Sequence, residues 1–447
     1  QAVSRQVTKQ VSSSSSSIQS RYQQACRVQM LGSFFWDNEK DLMAPLRQAE
    51  SKLMEYAKTF GDRSSNSFQM TTHDTPIPSE VLPFNKQNVL KEDLEIHSLC
   101  VTSKEQDDTN KHDTPLVILH GYMNGALYFY RNVVGLSNYF NTVYSLDTPG
   151  CGLSTRAPGL LSHVDSSVEA TEEFFVESLE AWRKARGVDK MVLAGHSMGG
   201  YISVAYCEKY PERVEQLVLL SPAGVTREEK EEIDDMLHQM SWTQRTALTT
   251  VRYLYNAGVT PASFSRKLPA TKSRSMVSSY VDRRLPVVTD PDERQALEEY
   301  LYWMAMIPGF GEDMLNRFLT SSAHGVKPTV DRIPLLRVPK VSFLYGDRDW
   351  MDIQGGIDAY ELAASRRSQN GPNVQVYQLQ EAGHLLMLDN WRGFHAGVVA
   401  MVGGRSAVSS SKYPMPALVR ANANNANNNN NNSFAPRVGR RKFQQSR

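Results

Sequence analysis

From Pro115 onward the apolar positions of the chain fall in short unbroken runs separated by turn residues: PLVILH (115–120), TVYSLD (142–147), KMVLAG (190–195), EQLVLLSP (215–222), KVSFLYG (340–346) and VQVYQL (374–379). A strand exposed on one face alternates apolar and polar residues, whereas runs apolar at every position predict strands covered on both faces, as in a parallel sheet. Between the second and third runs lies VDSSVEATEEFFVESLEAWRKARGV, with acids early, Arg and Lys late, and Gly187 near its end. Such a segment complements a helix dipole and stops where glycine can leave the helix. Strands alternating with helices predict an α/β fold, with a mostly parallel central sheet flanked by helices.

Two regions break this rhythm. Between Ser221 and Leu335 no run of strand quality occurs, and residues rich in Met, Tyr, Trp and Arg predict a helical cap inserted into the sheet domain. Near the start, Leu42, Leu46, Leu53 and Tyr56 recur at helical spacing, which predicts an amphipathic helix. The preceding MLGSFFW carries Phe34, Phe35 and Trp36, a cluster suited either to dipping into a lipid interface or to packing on the domain. After Gly404 periodicity is lost and the chain runs into NANNANNNNNN, a composition that cannot bury a core. The expected organisation is a disordered or targeting segment (1–37), an N-terminal helix and linker (38–80), a first core portion (81–222), the cap (223–334), a second core portion (335–404) and a disordered Asn-rich tail (405–447).

Composition narrows the function classes. With 447 residues, 40% hydrophobic content and a formal charge of +1, the chain can bury a large core and gives no global reason to expect a nucleic-acid partner. Cys26, Cys100, Cys151 and Cys207 are scattered without metal-ligand spacing, which points to a reducing, intracellular compartment. No segment approaches the ~20 apolar residues that span a bilayer. The first residues carry Arg5, Lys9, Arg21 and Arg27 and no acid before Asp37, so the remnant of an organellar transit peptide and a disordered linker are both open readings.

The chemistry concentrates at VLAGHSMGGY. Gly195-His196-Ser197-Met198-Gly199 matches G-x-S-x-G between an expected strand and an expected helix, where the flanking glycines allow a sharp turn that exposes the serine hydroxyl. Acyl transfer through a serine needs a base, an acid that orients the base, and donors for the oxyanion. His384 in LQEAGHLLMLDN is the candidate base. Asp349 in FLYGDRDWMD is the candidate acid, with Asp347 and Asp352 near enough in sequence to compete. The order Ser, Asp, His is that of the α/β-hydrolases. LHGYMNG (119–125) resembles the loop that donates an oxyanion-hole amide in that fold, which would come from Tyr122, with the second amide from Met198. His120 and Asp147 are read as supports of their loops.

Taken together, VILHGYMNGALYFYRN, YSLDTPGCGLSTR, LAGHSMGGYISVAYCEKYPERVEQLVLLSPAGV and FLYGDRDWMD resemble the intracellular lipid-acting branch of the α/β-hydrolases. That branch includes an animal lipid-droplet lipase co-activator, a fungal cardiolipin deacylase and plant lysophosphatidate acyltransferase homologues. The resemblance implies the α/β-hydrolase fold over about Val81 to Gly404, an acyl lipid substrate, no metal or redox cofactor, and a cytoplasmic, lipid-droplet or mitochondrial setting with peripheral membrane contact. The co-activator lacks the elbow serine that this chain keeps as Ser197, which favours an active serine hydrolase over a scaffold. The branch's H-x4-D pattern, met by His384 and Asp389, keeps a coenzyme A-dependent lysophospholipid acyltransferase as an alternative; the other role expected of Asp389 is to cap the helix that follows. In the cap, the cations of SFSRKLPATKSRS (263–275) with Arg283 and Arg284 are candidates for holding a phosphate head group. The apolar EYLYWMAMIPGF (299–310) suits either an acyl-chain wall or cap packing.

Overall fold

The computed structural model describes residues 39–61, 67–84, 93–104, 111–228, 240–256, 259–366, 371–403 and 415–421. Among them the expected runs form β3 (Leu116–Leu119), β4 (Thr142–Leu146), β5 (Met191–His196), β6 (Val214–Leu220), β7 (Lys340–Gly346) and β8 (Asn373–Leu379). These six lie side by side and parallel in the order β4-β3-β5-β6-β7-β8. Both faces of this sheet are covered: Leu193 packs into one hydrophobic cluster while its neighbours Val192 and Ala194 pack into the other. Burying each such side chain contributes roughly 1.5–3 kcal/mol for the larger aliphatics, which explains why apolar residues dominate these strands, although β8 keeps Gln375 and Gln378.

The sheet extends further than the sequence pattern indicates. Residues 68–77, in the stretch expected to be a linker, form β1 (Phe68–Ile77), which pairs antiparallel with β2 (Leu94–Ser103), itself antiparallel to β4. At the other edge, β9 (Ala417–Ala421) lies inside the expected tail and pairs antiparallel with β8. The expected leader, including Phe34 to Trp36, and the Asn-rich run lie outside the described residues.

Helix α1 (Glu39–Ala57) buries Leu46 and Leu53 as expected. It is also pinned by charge: His97 of β2 donates from Nε2 to Glu50 of α1 at 3.0 Å and from Nδ1 to Asp74 of β1. Helix α2 (Val168–Ala185) starts at Ser167, whose hydroxyl accepts from the Ala170 amide, and ends on Arg183 and Lys184, the signals read from sequence. Helix α3 (Met198–Lys209) follows β5 directly. Between β6 and β7 come α4 (Trp242–Asn256), a turn at Pro261–Ser265, α5 (Ala270–Arg284), α6 (Pro291–Met306) and shorter turns. The buried guanidinium of Arg156 donates to the carbonyls of Met304, Ile307 and Pro308, so a core loop caps the end of α6 and fixes the insert over the sheet. After β7 come α7 (Gln354–Ser365), β8 and α8 (Trp391–Gly403).

Candidate active site

The chain leaves β5 and enters α3 through Ser197, whose φ of 53° and ψ of −119° lie outside the usual regions for a residue with a side chain. Such strain, on the order of 1–3 kcal/mol, persists because the surroundings hold it. The Ser197 amide donates to the Leu220 carbonyl at 3.0 Å, and its carbonyl accepts from Gly200 and Ala223. A Cβ on Gly195 would sit 2.4 Å from the Gly199 carbonyl oxygen, and one on Gly199 would sit 2.5 Å from that of His120. Both positions therefore require glycine for the strand, helix and neighbouring loop to approach.

His384 follows β8 in a short loop and points its Nε2 at Ser197 Oγ, 3.2 Å away. Its Nδ1 donates to Asp349 Oδ1 at 3.1 Å. Of the three competing acids only Asp349 touches the histidine. Asp347 accepts from the Ala382 amide, and Asp352 accepts from the Gln354 amide at the start of α7. Burial opposes the Asp349 charge, yet its hydrogen bond and attraction to His384, the Ser221 hydroxyl and the Met351 amide hold its carboxyl below the ordinary value.

His196 is buried and neutral. Its Nε2 donates to the His384 carbonyl at 2.9 Å, and burial, with His384 adding repulsion, lowers its pKa to about 3. His120 donates from Nδ1 to the Gly121 carbonyl and accepts from the Thr148 amide at Nε2, a fixed tautomer that ties two loops together. Asp147 accepts from the amides of Ala126 and Leu153. Asp389 does not cap the next helix as expected; Asn390 takes that place by accepting from Gly393, while Asp389 accepts from the Gly383 amide at 2.8 Å. The carboxylate thus secures the backbone immediately before His384.

Three neighbours escaped the sequence reading. Ser221, after β6, has φ of 44° and lies beside Asp349. Trp350 places its ring 5.0 Å from that of His384. Met123, with φ of 55°, bends the loop that carries Tyr122. Each stands inside a quoted segment without being singled out there; positive φ marks Ser221 and Met123, and its ring contact with His384 marks Trp350.

Ser197 and His384 open into a cavity of about 570 Å³ between sheet and cap, which Tyr122 and Met198 also line. Leu301 and Ala305 from the apolar 299–310 stretch face it, whereas Tyr300 and Trp303 of the same stretch are buried. Among the described residues that line it, only Arg283 and Arg284 carry a fixed charge. Arg266 and Arg274, by contrast, are engaged with Glu312 and Glu299. Among the described residues no group of His, Cys, Asp and Glu has the arrangement to hold a metal ion, and no helix is long and apolar enough to cross a membrane.

The pattern that defines the alpha/beta hydrolase fold family matches residues 114–390. An Arabidopsis thaliana protein named 1-acylglycerol-3-phosphate O-acyltransferase is 29% identical over 297 residues, covering 65% of this chain and 67% of its own. The human 1-acylglycerol-3-phosphate O-acyltransferase ABHD5 is also 29% identical, over 64% of this chain and 76% of its own. A bacterial membrane phospholipase A of known structure aligns with a TM-score of 0.49 at 20% identity, over 81% of this chain and 92% of that one. With a family match spanning more than half its length, and a parallel sheet carrying the serine turn after β5, the chain belongs to the alpha/beta hydrolase fold family.

Proposed function

We propose that the protein is a serine hydrolase that cleaves acyl ester bonds of glycerophospholipids or related lipids through an acyl-enzyme. The observation that carries this reading is the continuous Ser197–His384–Asp349 hydrogen-bond chain opening into a largely apolar cavity. His384 Nε2 takes the Ser197 proton as the oxygen attacks the ester carbonyl, and Asp349 stabilises the imidazolium that forms. The amides of Met198 and Tyr122 receive the oxyanion. His384 then returns its proton to the departing alcohol. In the second half, water attacks the acyl-Ser197 carbonyl, gives its proton to His384, and the fatty acid leaves as Ser197 recovers the proton. No metal or redox group enters these steps.

The two cavity arginines suit a phosphate-bearing head group, since guanidinium pairs with phosphate in two-point contacts. A second reading, in which a lysophospholipid hydroxyl rather than water takes the acyl group from Ser197, draws on the names of the Arabidopsis and human relatives. The test is lipid turnover by mass spectrometry, presenting wild type and Ser197→Ala with phospholipids, lysophospholipids and neutral lipids, with and without acyl-CoA. Fatty acid and lysolipid from wild type alone supports the hydrolase. Acyl-CoA-dependent consumption of lysolipid selects the transferase. No turnover by folded wild type removes both and leaves a non-catalytic scaffold.

A further inference from the structure

The cap carries a second pattern just outside the cavity. Along α5, Ser273, Val277, Tyr280 and Arg284 face the cavity, while the adjoining stripe of Lys272, Met276, Ser279 and Arg283 is exposed. These positions are four, three and four residues apart, so they form one face of the helix. Immediately before α5 the Phe264 side chain is 52% exposed, and across the cavity mouth Trp350 is 55% exposed. From Pro261 to Leu285 the sequence holds six basic residues, Arg266, Lys267, Lys272, Arg274, Arg283 and Arg284, against the single acid Asp282. Arg266 and Arg274 are neutralised by Glu312 and Glu299, and Asp282 by Arg294. Among the described residues, Lys267, Lys272 and Arg283 stand in no ion pair, while Arg284 lies within electrostatic reach of Asp389.

We propose that this face, the exposed stripe of α5 with Phe264 and Lys267 before it and Trp350 opposite, docks on a lipid surface bearing anionic head groups. Large apolar side chains held in water beside uncompensated cations find both needs met at one place, the boundary between charged head groups and acyl chains. An acidic protein surface would match the cations but offers nothing particular to Phe264 and Trp350. Met276 and Trp350 belong at once to the exposed rim and to the cavity lining. Docking by that rim lets an acyl chain pass from the bilayer to Ser197 without crossing water, and in this respect the inference rests on the lipid-hydrolase reading.

The experiment compares vesicle binding with a soluble reaction. Wild type, Ser197→Ala and the triple variant Phe264→Ser/Lys267→Glu/Lys272→Glu, none of whose three positions lines the cavity, are co-sedimented with phosphatidylcholine vesicles containing or lacking phosphatidylserine. Each protein except Ser197→Ala is also assayed on a short water-soluble ester. Each basic side chain near an anionic surface contributes about a fivefold gain in affinity. The triple variant should therefore bind phosphatidylserine vesicles at least roughly thirtyfold more weakly, while cleaving the soluble ester at the wild-type rate. Ser197→Ala should bind as wild type does, and binding should weaken as salt is added. Equal binding by wild type and triple variant, or binding indifferent to phosphatidylserine, overturns the proposal. Vesicle binding without cleavage of any ester would instead overturn the hydrolase reading and leave the docking face standing.

Discussion

Replacing Asp349 by asparagine separates the three neighbouring acids by a number. The carboxylate lies 3.1 Å from His384 Nδ1, and its side chain is 1% exposed. In the proposed reaction, as Ser197 gives up its proton, His384 acquires a full positive charge, and a carboxylate at that range, screened by an effective dielectric near 20, stabilises it by about 5 kcal/mol. That corresponds to a loss of roughly ten-thousandfold in kcat. The amide can also present a donor to Nδ1, which favours the wrong tautomer and acts in the same direction. The assay is hydrolysis of a p-nitrophenyl ester by purified Asp349→Asn, Asp347→Asn and Asp352→Asn, with thermal melting as the folding control. Because the Asp349 carboxyl is held below its ordinary value, its charge adds stability above that value, which is lost as pH falls through the lowered one. The Asp349→Asn variant should thus melt below wild type at neutral pH, with the gap closing in acid. If it retains activity within tenfold of wild type, or if either other variant falls as far, the assignment of Asp349 as the acid is wrong.

Three further outcomes follow from the geometry. Asp389→Ala removes the acceptor of the Gly383 amide and should lower ester hydrolysis and any acyl transfer by the same factor, on the order of tenfold to a hundredfold; a loss confined to transfer would make Asp389 part of an acyltransferase apparatus instead. His97, though burial works against its charge, is pushed up to about 10 by its bonds to Asp74 and Glu50. The stability it confers is complete below the unfolded value near 6.5 and declines as pH rises towards 10, so the melting temperature of wild type should fall over that window and His97→Gln should flatten the slope. Gly199→Ala drives a Cβ against two backbone carbonyls at 2.5 and 2.6 Å and should abolish activity; a fully active, normally melting variant would show that the turn can relax.

What could be read from the sequence was set by burial and by local geometry. Strands β3 to β8 announce themselves because both of their faces are covered, so apolar residues dominate them, although Ser145, Gln216, Ser342 and Gln375 are buried among them. In β1 the burial pattern mixes exposed, intermediate and buried positions, and its FQMTTHDTPI carries polar residues that hide it from the same test. Five-residue β9 follows a stretch with no periodicity at all, and its pairing with β8 is a property of the tertiary fold. Ser197 stands out through flanking glycines that local sterics demand, and His384 through chain order. Asp347, Asp349 and Asp352 are indistinguishable as letters; only the direction of each side chain off the β7–α7 loop separates them. Ser221 and Trp350 stand inside LVLLSPAGV and FLYGDRDWMD, but nothing in those letters marks either as a neighbour of the site, and the Asp389 contact with Gly383 depends on a tight return of the chain.

The family pattern covers residues 114–390, yet the sheet begins at Phe68 and ends at Ala421. The span that carries the candidate triad is therefore shorter than the span that folds. A chain trimmed to the matched region would retain Ser197, Asp349 and His384, but β4 would lose β2, and β8 would lose β9. Both outer parallel strands would then present open rows of amides and carbonyls, templates for pairing with other molecules. Trimming at the family boundary should yield aggregates, because the antiparallel edge strands act as the protein's own barrier to self-association.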